Sequence, residues 1–138
     1  MNVLAIALFG AVGGVLRLLL EDALPSSHFP FATLVMNLMG SFALGHIAVV
    51  AIRKAWPDWL RLGIGTGMIG SFTTFSTFSM DVLTLFHTSL LLASIYVLAS
   101  LLGGWGCALA GDRLAVWIYT VDRTARVTEP GEMEEVYP

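Results

Sequence analysis

The chain alternates four long apolar stretches with short polar ones: roughly Val3–Leu20, Phe31–Ile52, Leu62–Met80 and Ser89–Ala110. A helix needs about 20 residues to cross ~30 Å of bilayer hydrocarbon, so each stretch predicts one transmembrane helix. Pro25, Ser26, Ser27 and Pro30 mark the first turn, and Trp56-Pro57-Asp58-Trp59 the second, with two tryptophans suited to the headgroup layer. Four such spans enclose little interior, so a solute path calls for a second copy of the protein.

Small and polar residues recur within the spans at helical spacings. Gly10 and Gly14, with Gly13 beside them, give the first span a face that another helix can approach closely. Arg17, four residues after Gly13, shares that face. It reads either as a cation snorkelling to the interface or as a buried one that pins a partner helix or attracts an anion. On the second span Thr33, Asn37, Gly40/Ser41, Gly45 and Ala48 form one stripe, opposite Val35, Leu38, Phe42 and Val49, which predicts a protein-facing and a lipid-facing side. Asn37 is the only amide within a span; it is expected as a pore-facing donor, with interhelical bonding as the alternative. His46 falls on the other side, in a packing or interfacial role. On the fourth span Tyr96, Ser100, Gly103/Gly104, Cys107 and Gly111 share an inner stripe, with Cys107 a small packing residue.

The third span is the least suited to lipid. Leu62–Met80 holds seven Ser or Thr and four Gly against eight apolar residues. Within it, Gly70 to Phe78 combines one glycine, five hydroxyls and three phenylalanines. Unpaired polar groups in hydrocarbon cost several kcal/mol each, so this segment should line something. Its phenylalanines, at i, i+3 and i+6, make one aromatic edge flanked by hydroxyls. That mixture points to a path for a small polar solute. The glycines predict a helix break between Gly70 and Thr73, whose freed carbonyls would coordinate a cation. The alternative is a glycine-rich packing helix whose hydroxyls bond back one turn. Asp81, directly after the span, is a solvated helix-end charge or a vestibule residue.

Composition agrees with a membrane protein. With 57% apolar and 12% charged residues and a mean hydropathy of +0.80, the 138-residue chain is too apolar for a soluble domain. Six of the ten acids and three of the seven bases lie after Gly111, so the net charge of −3 belongs to the tail. The chain therefore divides into a four-helix transmembrane domain, 1–111, and residues 112–138. There Leu114–Tyr119 is expected as an interfacial extension and Arg123–Pro138 as a disordered acidic tail. The uncharged start, with Arg17 and Glu21 after the apolar run, favours a retained first span over a signal peptide. There is no basic patch for nucleic acid. One cysteine excludes an internal disulfide and a multi-cysteine metal site, and His28, His46 and His87 have no ligand spacing. No nucleophile and base pair stands out, so an enzyme is not expected.

These residues resemble the small fluoride channels of the Fluc/CrcB family, over nearly the whole chain up to about Gly111. The similarity is carried by Gly13-Gly14-Val15-Leu16-Arg17; by Pro30 to Asn37 with Gly40-Ser41-Phe42 and Gly45; and by Gly70 with Thr73-Thr74-Phe75-Ser76-Thr77-Phe78, the most specific of the three. The resemblance implies an all-α integral membrane protein with four transmembrane helices per subunit and a broken third helix. It further implies an antiparallel, dual-topology dimer in the cytoplasmic membrane, with two fluoride pores and one structural sodium ion (Na+) at the dimer interface. Phe75 and Phe78 would supply pore aromatics, Asn37 a donor, and Ser76, Thr77, Tyr96 and Ser100 a polar track. Main-chain carbonyls of Gly70 and Thr73 would hold the sodium, with Arg17 and Asp81 in structural or vestibule roles. Ala32, Leu18 and the acidic tail depart from the family pattern, none of them at the implied pore.

The implied chemistry is intelligible from the residues. Fluoride is small, hard and strongly hydrated, so its path must replace water with donors. Hydroxyls and an amide donate, and the positive edges of phenylalanine rings face an anion without inviting a cation. Such sites are weak enough to leave, which permits passive export of fluoride and relief of its toxicity. A small dual-topology multidrug transporter would need a membrane-embedded carboxylate, and a structural membrane subunit would need no polar third span. One pattern pulls against a homodimer. Arg53, Lys54, Arg61, Arg113, Arg123 and Arg126 lie on the side of both termini and only Arg17 towards the other, which favours cytoplasmic termini. A second copy in antiparallel orientation is the expected partner, with a paralogue of opposite charge bias as the alternative.

Overall fold

A computed structural model describes residues 1–24 and 29–127, with side chains as far as Val121. Three of the first-turn markers (25–27) and the acids from Glu129 onward lie outside the described residues. The elements are α1 (Asn2–Ala23), α2 (Phe31–Arg53), α3 (Asp58–Leu62), a π-helix (Gly63–Ile69), α4 (Gly70–Phe72), α5 (Phe75–Thr88) and α6 (Leu90–Val127). Among the described residues α1, α2 and α6 are long and apolar enough to cross a membrane. The third crossing is assembled from two pieces, the continuous run 58–72 and then α5, and both reach beyond the predicted Leu62–Met80. Pro57, with its φ of −63° and no N–H to satisfy, starts the first piece. Asp58 in the first turn accepts from Arg61 at 3.1 Å and complements the positive end of the helix.

Two helix pairs make the bundle: α1 lies along 58–72, and α2 along α6. Glycine sets both approaches. A methyl on Gly13 would run into the Met68 carbonyl, and one on Gly10 would stand 3.1 Å from the Ser71 hydroxyl. Gly14 faces open space, so the packing pair is Gly10 with Gly13, because Gly14 lies about 100° further round the helix than Gly13.

Between α2 and α6, methyls on Gly45 and Gly111 would collide with the carbonyls of Ala108 and Phe42, and one on Gly103 would lie 2.9 Å from Leu38 Cδ2. Leu38 therefore sits towards α6 and not, as its pattern suggests, towards lipid, whereas Phe42 meets α6 through its carbonyl and keeps its side chain exposed. Bulk on one helix is met by glycine on the other. His46 has the expected packing role, its ring stacked over Phe42 with centroids 6.4 Å apart.

The densest packing is small: Leu85, Ala93 and the fully buried Tyr96, with Phe29, Leu34, Phe78 and Val82 against them. Much of the remaining apolar surface is exposed, as at Val3, Leu8, Leu19, Leu91 and Leu102. This is the distribution expected of helices that meet lipid tails or another subunit. α6 does not end near Ala110. It runs unbroken to Val127, so the expected extension is a direct continuation of the span, and helix persists past Arg123, where disorder was expected to begin.

Candidate functional site

The interruption falls at Thr73 and Thr74, at the far end of the predicted interval, where both residues are extended (φ −78°, ψ 157° and φ −144°, ψ 122°). Adjacent threonines do opposite jobs. Thr73 closes the first piece, donating its N–H and its hydroxyl to the Ile69 carbonyl, each at 3.0 Å. Thr74 opens the second as the N-cap of α5. Its Oγ1 accepts from the Thr77 N–H at 3.1 Å, donates to Thr77 Oγ1 at 2.9 Å and lies 3.3 Å from Ser76 Oγ. A methyl on Gly40 would strike the Thr73 methyl, so Gly40 is what admits the break against α2.

Asn37 straps the extended residues to α2. Its Oδ1 accepts the Thr74 N–H at 2.9 Å, and its Nδ2 donates to the Thr74 carbonyl at 3.0 Å. The interhelical role is thus the one the structure displays, and it uses one of the two Nδ2 hydrogens.

The strap has a second effect. In an unbroken helix the Gly70 carbonyl would accept from the Thr74 N–H and the Thr73 carbonyl from the Thr77 N–H. Both donors are diverted, the first to Asn37 and the second to the Thr74 hydroxyl. Gly70 and Thr73 line a hollow of ≈ 290 Å³ together with Asn37, Ser41, Thr74 and Phe75, and no ionisable side chain is among its lining residues. These freed oxygens suit a hard cation.

From the hollow, aromatic rings lead into the core. Phe75 is 79% exposed at the rim, its centroid 5.8 Å from Phe78; Phe78 is 5.4 Å from Tyr96, and Phe29 meets Tyr96 edge-on at 5.5 Å. The buried Tyr96 hydroxyl donates to Asp81 Oδ2 at 3.2 Å. Asp81 is therefore not a free charge at a helix end: it lies within α5, half-buried, because α5 runs on to Thr88. One turn along α6, the buried Ser100 Oγ has no partner among the described residues.

Asn37, Gly70, Thr73, Phe75, Ser76 and Thr77 thus converge on the break, and Phe78, Tyr96 and Asp81 form a connected group beside it. Arg17 is elsewhere, 4.0 Å from Glu21 with both side chains about a third exposed. The sequence reading missed Thr74 as an organising residue. A threonine followed three positions later by a hydroxyl, at a helix start, is the signal that could have singled out Thr74.

An all-α chain with several membrane crossings, one of them interrupted beside an uncharged hollow that Asn37 and three hydroxyl side chains help to line, is built as a multi-pass membrane protein of the channel or transporter kind. The chain belongs to the CrcB family: the family profile described as CrcB-like protein, Camphor Resistance (CrcB), matches residues 4–112. It is similar to the "Fluoride-specific ion channel FluC 2" of Ligilactobacillus salivarius, 41% identical over 116 residues, 83% of this chain and 85% of that one. It is 42% identical over 120 residues to the "Fluoride-specific ion channel FluC" of Oceanobacillus iheyensis, covering 84% and 92% of the two chains. With the protein of the same name from Geobacter sulfurreducens it shares 43% over 122 residues, 82% of this chain and 98% of that one.

Proposed function

We infer that this protein is a fluoride channel that lets the ion run down its gradient across the cell membrane, so limiting fluoride toxicity. The observation that carries the reading is the Asn37–Thr74 strap, which holds open an uncharged, hydroxyl-rich gap edged by Phe75. Ser76, Thr77 and the remaining Asn37 N–H are donors that replace water around a small anion, and the Phe75 and Phe78 ring edges favour its charge. Tyr96 and Ser100 extend the polar track along α6. A proton-coupled exporter would need a carboxylate in the path; the hollow is lined by none, and the half-buried Asp81 beside the track is engaged by the Tyr96 hydroxyl.

The complete channel in this reading is a pair of four-helix subunits in antiparallel orientation. The exposed Phe75 ring and the open hollow support it, since a second subunit would cover both. The Gly70 and Thr73 carbonyls would hold a sodium ion at the pair's centre, where the ion would offset the carbonyl charge of two interrupted helices.

The test is electrode-monitored release from liposomes carrying the protein, purified from its own membrane with any subunit that accompanies it. Valinomycin should trigger loss of fluoride and retention of chloride. Vesicles that keep both ions would overturn the channel assignment.

A further inference from the structure

α2 and α6 run side by side in the same direction. Leu38 meets Gly103, Gly45 meets Ala108, and a methyl on Gly111 would stand 2.9 Å from the His46 nitrogen. Carried on, that register sets Arg53, at the end of α2, beside about residues 116–118, and α6 continues roughly ten residues, or ~15 Å, beyond it to Val127.

The chain leaves α2 on a fixed corner. Ala55 takes a left-handed φ of 47°, and the Trp56 N–H closes on the Ala51 carbonyl at 2.9 Å. Arg53 and Lys54 stand at that corner, Arg61 follows in α3, Arg113 lies on the neighbouring part of α6, and all four are exposed. Of these four, only Arg61 has an ion pair among the described residues, with Asp58 at 3.1 Å, and that pair is itself open to water. Arg123 and Arg126 lie further along α6. Set against Asp58, Asp112 and Asp122, these six bases leave this end of the bundle at +3 before residue 128.

Residues 128–138 hold Glu129, Glu132, Glu134 and Glu135 and no base, so they nearly cancel that charge. The carbonyl pole at the end of α6 favours Arg123 and Arg126 and disfavours acids, so the glutamates gain by leaving it. Pro130-Gly131 is a turn signal at the place where the chain would reverse. A flexible segment of 11 residues has an r.m.s. span of roughly 18 Å, which covers the ~15 Å back to Arg53.

We propose that residues 128–138 fold back onto the collar of Arg53, Lys54, Arg61 and Arg113, with the four glutamates as its counter-ions. Tethering makes the encounter intramolecular, at an effective concentration in the mM range. The docked tail cancels a positive field that would otherwise gather anions at this end of the bundle. The competitor for the same cations is an anionic lipid surface.

The contact is read by pulsed electron paramagnetic resonance on the full chain, spin-labelled at Ile52→Cys, beside Arg53, and at Met133→Cys, between Glu132 and Glu134. Cys107→Ala removes the native thiol, and dilution with unlabelled chain keeps the measured pair within one copy. In phosphatidylcholine nanodiscs at ~10 mM salt, where the screening length is about 30 Å, the distance distribution should be short and narrow. At ~1 M salt, where that length is about 3 Å, it should lengthen and broaden. Replacing Arg53, Lys54, Arg61 and Arg113 together with glutamine should give the long, broad distribution at both salts. Three results overturn the proposal: a long, broad distribution at low salt, a short one that survives high salt or the glutamine replacements, and release of the tail by phosphatidylglycerol, which assigns the collar to lipid.

Should the labelled variants fail to accumulate, a glutamate-specific protease reports the same contact without labels. At ~10 mM salt it should cut the tail several-fold more slowly in the wild type than in the glutamine variant. Equal cutting overturns the proposal. Fluoride release enters neither readout, so the tail contact and the channel reading fail separately.

Discussion

Asn37 and Thr74 are joined by two hydrogen bonds of opposite direction, 2.9 Å into Oδ1 and 3.0 Å out of Nδ2, across 37 residues of sequence. One side-chain amide replaces the two helical neighbours that an extended peptide has lost. Asn37→Leu should therefore strand the N–H and C=O of Thr74, at a cost of roughly 1–3 kcal/mol each. Asn37→Asp keeps the acceptor and loses the donor, and should fall between. Thermal unfolding in detergent is expected to rank wild type above Asn37→Asp above Asn37→Leu, and fluoride release to vanish in the last.

The same strap predicts where sodium is lost. With Asn37→Ala the Thr74 N–H can return to the Gly70 carbonyl, and sodium measured by elemental analysis of the purified protein should drop. Thr73→Ser and Thr73→Ala leave the main-chain oxygens in place and should retain it. Loss from both Thr73 variants would count against coordination by the backbone.

Phe75 and Phe78 should respond differently to the same substitution. Phe75 is exposed at the rim, so Phe75→Ile should suppress fluoride release with little change in unfolding temperature. Phe78 packs on Tyr96 at 5.4 Å, so Phe78→Ile should suppress release and also lose the ring pair, worth about 0.5–1.5 kcal/mol. Release at the wild-type rate in both variants would remove the aromatic edge from the account.

Tyr96 and Asp81 offer a split between bond and charge. Tyr96→Phe keeps the ring and deletes the donor, stranding an acceptor on Asp81. Asp81→Asn keeps an acceptor for the Tyr96 hydroxyl and deletes the charge. If the hydrogen bond is what positions Tyr96, release should fall in Tyr96→Phe and stay near wild type in Asp81→Asn.

Glycine contacts can be tested in pairs. Gly14 and Gly106 face open space, so alanine there should be tolerated and can stabilise a helix by about 0.5–1 kcal/mol. Gly13→Ala and Gly45→Ala would press a methyl into the Met68 and Ala108 carbonyls and should lower the unfolding temperature despite that gain. The contrast between Gly13 and its neighbour Gly14 makes the packing face directly visible.

The apolar runs were enough to read the helices and the presence of a break, because length and hydropathy are properties of single segments. What failed was neighbour assignment. Leu38 looks lipid-facing within α2, yet Gly103 of α6 brings that helix against its side chain, and only the pairing of the two helices reveals it. Asp81 was placed at a helix end because the span was cut at Met80; α5 continues through Thr84 and Thr88, whose hydroxyls bond back to the carbonyls of Met80 and Thr84 and so satisfy themselves in an apolar setting. The glycines point to a break between Gly70 and Thr73 but not to its far side, which Thr74 fixes by capping α5 and pairing with Asn37.

Two extended residues also expose both electrical poles of a helix within one crossing. The carbonyl pole of 58–72 and the amide pole of α5 face the same gap, so opposite charges find favourable ground a few ångströms apart. A stationary cation can sit at one pole while an anion travels past the other, without a single formal charge on the side chains between them.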